Sequence, residues 1–262
     1  MVFSTIKSLI SPSARATIGH SLRNITRKPS PSFGRDFIAE VKSRLPQLEV
    51  KVIFDVGAHI GITALEFSDR FPIADVYAFE PQSENFRRMI SNLVGKPDIR
   101  CHQIGFSASE GTATVFMDPA HPSMARLVEK PNSKSEEVTI ETIDQFCTVH
   151  KIEEVDLLKI DTEGHEIQVL TGANRMLQSG SISVIKAEVA ADPDITYHTS
   201  FFSLFELLSA FGYRLFGIYD QCENEFSPGP RLRRFDACFI SEQLIKRHGD
   251  GGWMAAPPLP LT

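Results

Sequence analysis

The stretch VIFDVGAHIG, residues 52–61, decides how the chain is read. Residues 52–56 are β-branched and aromatic around a single acid, Asp55, which is the composition of a buried strand. Gly57 and Gly61 follow, four residues apart. Gly57 allows a tight turn and Gly61 lets a helix start lie against the sheet, so backbone can approach a ligand at the strand's carboxyl end. A dinucleotide-binding turn uses the same device in the form G-x-G-x-x-G, whose second glycine makes room for a pyrophosphate at the helix N-terminus. Here that position is His59, and Asp55 places negative charge where a pyrophosphate would sit. The turn suits a ligand with a cationic end.

Outward from this stretch, short β-rich runs alternate with segments of helical period, the pattern of a parallel sheet with helices on its faces. Ile60, Ala64, Phe67 and Phe71 recur at helical spacing, and residues 75–80 form the next strand. Phe86, Met89, Ile90 and Leu93 mark a second amphipathic helix opened by Pro81 and Ser83, and 99–106 reads as a third strand. Residues 112–117 and 138–143 are strand-like and flank a Pro- and Ser-bearing stretch, giving an inserted β-hairpin. Its connection, 118–137, is longer than most loops in compact domains and is expected to cover the substrate. Alternation resumes with a strand at 155–160, a helix around 167–177 and a strand at 182–189. A helix then carries Phe201, Leu204, Phe205, Leu208 and Phe211 on one face, read as core from its spacing, and strands at 213–219 and 235–240 complete about seven.

Two further strand ends carry ionisable groups. Phe79-Glu80-Pro81 puts an acid 19 residues beyond Gly61, near the ~20 expected of a carboxylate that accepts from ribose hydroxyls. KIDTEG, residues 159–164, places Lys159, Asp161 and Glu163 on one side of a strand by period two before Gly164 turns the chain into a helix. A salt bridge from Lys159 to Asp161 or Glu163 would explain them structurally, and can also orient a carboxylate that meets a substrate. Glu188 is a fourth rim candidate. Asp161, Glu163 and Glu188 are hard oxygen ligands, but no dense acidic motif demands a cation, so no metal is expected.

VIFDVGAHIG, AFEP and LLKIDTEGHEIQVLTGA (157–173) together resemble the FkbM family of S-adenosylmethionine-dependent methyltransferases, whose typical forms read close to DVGANIG, FEP and KIDVEGAE. The resemblance runs from about Val52 to Ala173 and continues more loosely to Ile240. It implies a Rossmann-like class I methyltransferase fold, an α/β domain with a mostly parallel seven-stranded sheet whose last strand is antiparallel. It further implies S-adenosyl-L-methionine as cofactor, held by Asp55, Gly57, Ala58, His59, Gly61, Glu80 and Pro81, and transfer to oxygen on a small molecule, sugar, glycolipid or polyketide-type product. Asp161 or Glu163 would be the base on the acceptor hydroxyl, with Lys159 orienting it and Glu188 in reserve. His59, Thr162 and His165 depart from the commoner Asn, Val and Ala. The last two stand where the acceptor pocket is expected.

Composition bounds the rest. With 262 residues, 42% of them hydrophobic and 23% charged, one main domain at 46–248 is expected, flanked by an N-terminal extension at 1–45 and a flexible Gly- and Pro-rich tail at 249–262. No apolar run approaches the ~18 residues of a spanning helix. The net charge of −6 hides an asymmetry: residues 1–35 hold six Lys or Arg and no acid. An acidic body argues against nucleic acid as the main partner, and leaves a small-molecule or glycan acceptor. The basic extension reads as a helical segment packed on the domain or on a second copy, before a transit peptide or an anionic-surface anchor. Cys101, Cys147, Cys222 and Cys238 have no metal-site spacing and are expected to be reduced, as in a cytoplasmic protein. Two rivals remain: a nicotinamide-dependent oxidoreductase, against which His59 counts, and a non-catalytic binding module, against which the intact Asp55, Gly57, Gly61, Glu80 and Asp161 count.

Overall fold

The computed structural model describes residues 34–117, 125–126, 134–222 and 230–247. The chain opens with α1 (Phe37–Arg44), which Asp36 caps by accepting from the Ala39 N–H at 2.8 Å. Then β1 (Val52–Val56), α2 (Ile62–Arg70), β2 (Asp75–Phe79), α3 (Ser83–Asn92) and β3 (Ile99–His102) alternate. Next come β4 (Gly105–Phe106), β5 (Gly111–Met117), β6 (Ala125–Arg126), β7 (Lys134–Glu141) and α4 (Ile143–His150). The second half runs β8 (Val155–Ile160), α5 (Glu166–Thr171), α6 (Asn174–Gln178), β9 (Ile182–Ala190), α7 (Phe201–Ala210), β10 (Tyr213–Cys222), β11 (Arg234–Ser241) and α8 (Glu242–Arg247).

Seven strands form one sheet in the order β10-β11-β9-β8-β1-β2-β3. The pairs β1/β2, β1/β8, β2/β3 and β8/β9 are parallel, whereas β11 is antiparallel to both β9 and β10. The last strand alone is reversed in this sheet, as expected. Residues 99–106 are not one strand: the chain leaves the large sheet after His102, and β4 joins a second sheet ordered β4-β7-β5-β6. That second sheet contains the expected hairpin, β5 against β7. Its connection is largely outside the described residues, so the expected cover at 118–137 has no structural account here. The same holds for residues 1–33 and the 249–262 tail.

Period two divides the large sheet's side chains between two cores. Phe54, Val56, Phe79, Leu158 and Ile160 face α4 to α7 and pack with Phe146, Val169, Leu170 and Leu204. Ile53, Val76, Leu157 and Val184 face the other way and pack with Phe37, Val41, Ala64, Phe67, Met89 and Leu93. Both faces are covered, which is why the central strands are almost continuously apolar. The helix expected around 167–177 is two short ones, broken at Gly172 and Ala173. On α7 only Leu204 and Leu208 are fully buried, while Phe205 is 39% exposed, so the expected apolar face is only partly core. Cys147 and Cys238 are buried and Cys101 and Cys222 half-buried, all four as free thiols. Among the described residues, no helix is long and apolar enough to cross a membrane.

Candidate functional site

The carboxyl ends of β1, β2 and β8, with the second sheet, enclose an open pocket of about 230 Å³. Three strand-end turns build it. In the β1–α2 turn Gly57 has φ +74°, and a Cβ there would lie 1.9 Å from the Asp161 carbonyl oxygen. Only glycine lets β1 and β8 approach so closely. The Gly57 and Ala58 N–H groups both donate to the Phe79 carbonyl, at 3.0 and 2.9 Å, tying the turn to the end of β2.

Glu80 then locks the two turns together. One of its carboxylate oxygens accepts from the His59 N–H at 2.9 Å and the other from the Gln82 N–H at 3.0 Å. Burial pushes the Glu80 carboxyl up to about 7, against the pull of those backbone donors. The side chain lines the pocket with His59, Pro81 and Asn85. His59 takes the left-handed backbone, φ +52°, and burial holds its imidazole below the ordinary histidine value.

The third turn follows β8, which ends at Ile160, so Asp161 and Glu163 belong to a loop and not to a strand. The expected period-two row is therefore broken after Lys159. Asp161, Thr162, Glu163 and His165 all line the pocket. Glu163 is left-handed, φ +55°. The buried Glu166 holds the loop with one oxygen, accepting from the Thr162 N–H (2.9 Å), the Thr162 hydroxyl (3.0 Å) and the Gly164 N–H (3.2 Å).

Lys159 is not at the pocket surface. Its Nζ lies 2.9 Å from Asp55 Oδ1, donates to the Gly57 carbonyl at 3.0 Å, and is 3.7 Å from Asp161 Oδ2. Asp55 and Lys159 are register partners on adjacent strands, so the expected salt bridge to Asp161 or Glu163 is chiefly one to Asp55. Burial pulls the Lys159 ammonium down, but the Asp55 and Asp161 carboxylates outweigh it and hold it above the usual lysine range. Asp55 is fully buried in this pair and does not line the pocket. Nor do Ala58 and Gly61. At Gly61 a Cβ would meet Leu93 Cδ1 at 2.9 Å, so this glycine serves the packing of α2 on α3.

Glu188 also lies behind the lining. Arg234 Nη1 donates to one oxygen, and His198 Nδ1 is 3.3 Å from the other. Burial, then the nearby charge of Asp161, pushes this carboxyl up to about 8. Asp161, Glu163 and Glu188 each bring an oxygen within 4.8 Å of the others, a spacing a divalent cation can use, although Glu188 is already engaged by Arg234 and His198.

The remaining wall is apolar: Ile104 and Phe106 from the β3–β4 segment, Val115 from β5 and Ile140 from β7. Sequence reasoning did not single these out, nor Asn85. The alternation of β5 and β7 carries a signal for a half-buried sheet, but not for the direction that sheet faces. His165, at the same end, places Nε2 2.9 Å from Ser107 Oγ.

A mostly parallel sheet with a reversed last strand, and a pocket at the carboxyl ends of its central strands, defines a Rossmann-like class I methyltransferase fold. The model of the methyltransferase FkbM domain matches residues 55–215, and the chain belongs to that family. It is 32% identical over 152 residues to the hexuronic acid methyltransferase AglP of Haloferax volcanii, covering 56% of this chain and 61% of the relative. It is 24% identical over 147 residues to the 2-O-methyltransferase NoeI of Sinorhizobium fredii, covering 48% and 58%. The chain thus spans about three-fifths of these relatives' length. A solved FkbM methyltransferase from Methylobacillus flagellatus KT aligns with a TM-score of 0.49 and 16% identity, over 78% of this chain and 48% of that one.

Proposed function

We propose that the chain is an S-adenosylmethionine-dependent O-methyltransferase acting on a hydroxyl of a sugar, glycolipid or other small natural product. The observation that carries this is the placement of Asp161 and Glu163 in one pocket with Glu80, with the Lys159 ammonium 3.7 Å behind Asp161. The lining fits the cofactor: an apolar wall for a purine, a buried acid for ribose hydroxyls, and carboxylates where a cationic end is favoured. The first turn presents no second glycine for a pyrophosphate, and with the family assignment this sets the oxidoreductase reading aside.

When bound, S-adenosylmethionine supplies a methyl group on a sulfonium, and its transfer to a hydroxyl oxygen disperses charge. The protein's part is then alignment and proton removal. Glu80 accepts from the ribose hydroxyls while its other lone pairs hold the turns, and Gly57, His59 and Pro81 shape the pocket around it. Asp55 supports this from below by fixing Lys159. Asp161 takes the proton from the acceptor hydroxyl, and Lys159 positions its carboxylate. Glu163 stands second. Burial and the charge of Asp161 favour the protonated form of Glu188, and Arg234 and His198 already engage it, so it is the weakest of the three as a base. The name of the Haloferax relative supports a sugar acid as the target class, and that of the Sinorhizobium relative supports transfer to oxygen.

The test is single-turnover transfer of labelled methyl from saturating cofactor to neutral glycosides, uronic acid glycosides and a metabolite extract, with the labelled product identified by mass spectrometry. Asp161→Asn is expected to lose about 10²–10⁴-fold in rate while binding S-adenosylhomocysteine within a small factor of wild type. Wild-type rates in Asp161→Asn, Glu163→Gln and Glu188→Gln alike would falsify the catalytic assignment. Absence of any labelled product would favour a non-catalytic module.

A further inference from the structure

We propose that the β5–β7 arm of the second sheet is a gate on the pocket, latched to α3 by Glu136, and that the cofactor exchanges when this latch opens. The inference rests on the cofactor reading above. The arm is fixed firmly at one end only. At its root, Phe106 of β4 belongs to the core that faces α4 to α7, and the Ser107 N–H donates to the Glu141 carbonyl at 3.0 Å. Gly172 packs so closely there that a Cβ would lie 2.1 Å from the Ser107 carbonyl oxygen. Beyond the root, β5 and β7 pair from Gly111 and Ile140 out to Met117 and Lys134, an arm about 20 Å long. Its buried side chains, Val115, Val138 and Ile140, form a small cluster of their own, separate from both cores of the large sheet. An element with so few buried apolar contacts opens at low cost, without unfolding the rest. Val115 and Ile140 are also pocket wall, so a ligand packed against that wall is released when the arm lifts.

Polar contacts hold the far end. Glu136 is the register partner of Val115, and it accepts from the Ser83 N–H at 3.2 Å with each carboxylate oxygen and from the Ser83 hydroxyl. That N–H opens α3 and has no acceptor within its own helix, and a carboxylate is favoured at that terminus. Gln103 Nε2 donates to Ser83 Oγ at 3.2 Å, and Gln82 Nε2 donates to Met117 Sδ at 3.1 Å. Ser83 and Glu136 are half-buried, so water can replace each as a partner when the latch opens. None of Gln82, Ser83, Met117 and Glu136 lines the pocket. The latch is made between protein groups alone and has the same strength with the pocket filled or empty. Weakening it should therefore cancel from the affinity and appear in the rates of entry and exit alike.

Surface plasmon resonance on the full chain, with S-adenosylhomocysteine as the probe, tests this without an acceptor. Glu136→Ala should raise the association and dissociation rates by about tenfold each and leave Kd within about twofold of wild type. Ser83→Ala keeps the N–H and loses the hydroxyl, and should raise both rates by about threefold. Glu136→Gln keeps an acceptor and loses the charge, and should fall between wild type and Glu136→Ala. Urea midpoints identify any variant whose fold is lost, and the two milder changes then carry the comparison. Unchanged rates in the folded variants overturn the gate. So does a faster dissociation alone, with affinity weakened by the same factor, which would make the arm a fixed wall that Glu136 braces. Failure of wild type to bind the probe overturns the cofactor reading and this proposal with it, and is seen before any variant is made.

Discussion

Lys159 and Asp55 form an ion pair inside the sheet, with Asp55 fully buried and Lys159 nearly so. Removing one partner of such a pair leaves the other charged and unsolvated, which is far more costly than losing the attraction itself. Lys159→Met is therefore expected to destabilise the fold by about 3–5 kcal/mol, and the double change Lys159→Met with Asp55→Leu to recover part of that. Urea denaturation of wild type and the two variants checks it, and a double variant weaker than the single would sink the argument. Glu80 behaves differently because it faces the pocket. Its carboxyl is pushed up to about 7 by burial, and ligand hydroxyls favour the ionised form. Binding should then release protons, so the affinity for S-adenosylhomocysteine rises between pH 6 and 8 and levels off above. Glu80→Gln should flatten this profile and weaken binding at pH 8 by about 1.5–3 kcal/mol. A profile unchanged in the variant would place the titration elsewhere. At this scale the acids of the site were legible from strand ends and spacing. What was not legible is which acids are consumed by the fold, because cross-strand pairing of Asp55 with Lys159 depends on a register that joins residues 104 positions apart.

The β8–α5 loop shows how an element prepares chemistry. Its backbone passes through a left-handed residue at Glu163, a conformation disfavoured for a residue with a Cβ, and Glu166 compensates by binding the loop at three points with one oxygen. The strand boundary at Ile160 could not be read from period two, since KIDTE continues the alternation that the turn then breaks. Helix α4 was missed for another reason. Thr142 to Gln145 has the T-x-x-Q spacing of a capping box, and the Thr142 side chain accepts from the Gln145 N–H at 3.1 Å. The β-branched run that ends in it masked the signal. Thr142→Ala is expected to cost about 1 kcal/mol, read as a shift of the urea midpoint with unchanged slope. A change near zero would mean that the apolar face of α4, with Ile143, Phe146 and Cys147 buried, holds the helix without its cap.

Across the whole molecule, one face of the large sheet carries a row of buried charge. Asp55 and Lys159 stand beside Lys186, which Asp236 and Asp220 hold, and Glu188 with Arg234 ends the row. Hydropathy patterning made the alternation of strands and helices accessible, because strands buried on both faces read as apolar runs, while the reversed last strand was implied only by the family resemblance. It said nothing of this row, since charges in a strand look like edge or solvent positions until their partners are known. The row has a consequence for pH. Burial raises Glu80 to about 7 and Glu188 to about 8, so the folded chain keeps protons that the unfolded chain has released. Their contribution to stability is present below the ordinary glutamate range and is lost as pH climbs through 7 and 8. Burial also lowers His59, His102 and His165, which adds stability as pH rises, but only up to the unfolded histidine value near 6.5. Above that point only the loss remains. The ligand-free protein should therefore weaken from pH 6.5 toward pH 8.5, by ~1.4 kcal/mol per pH unit for each proton still held. Glu188 faces Asp161, Glu163, Asp236, Arg234 and His198, so Glu188→Gln removes a titration from that neighbourhood whatever it does to stability as a whole. Melting temperatures at half-unit steps from pH 6.5 to 8.5 should fall less steeply in Glu188→Gln than in wild type. Parallel slopes would show that Glu188 is already ionised at neutral pH, with Arg234 and His198 outweighing burial, and would return it to the set of bases available to the site.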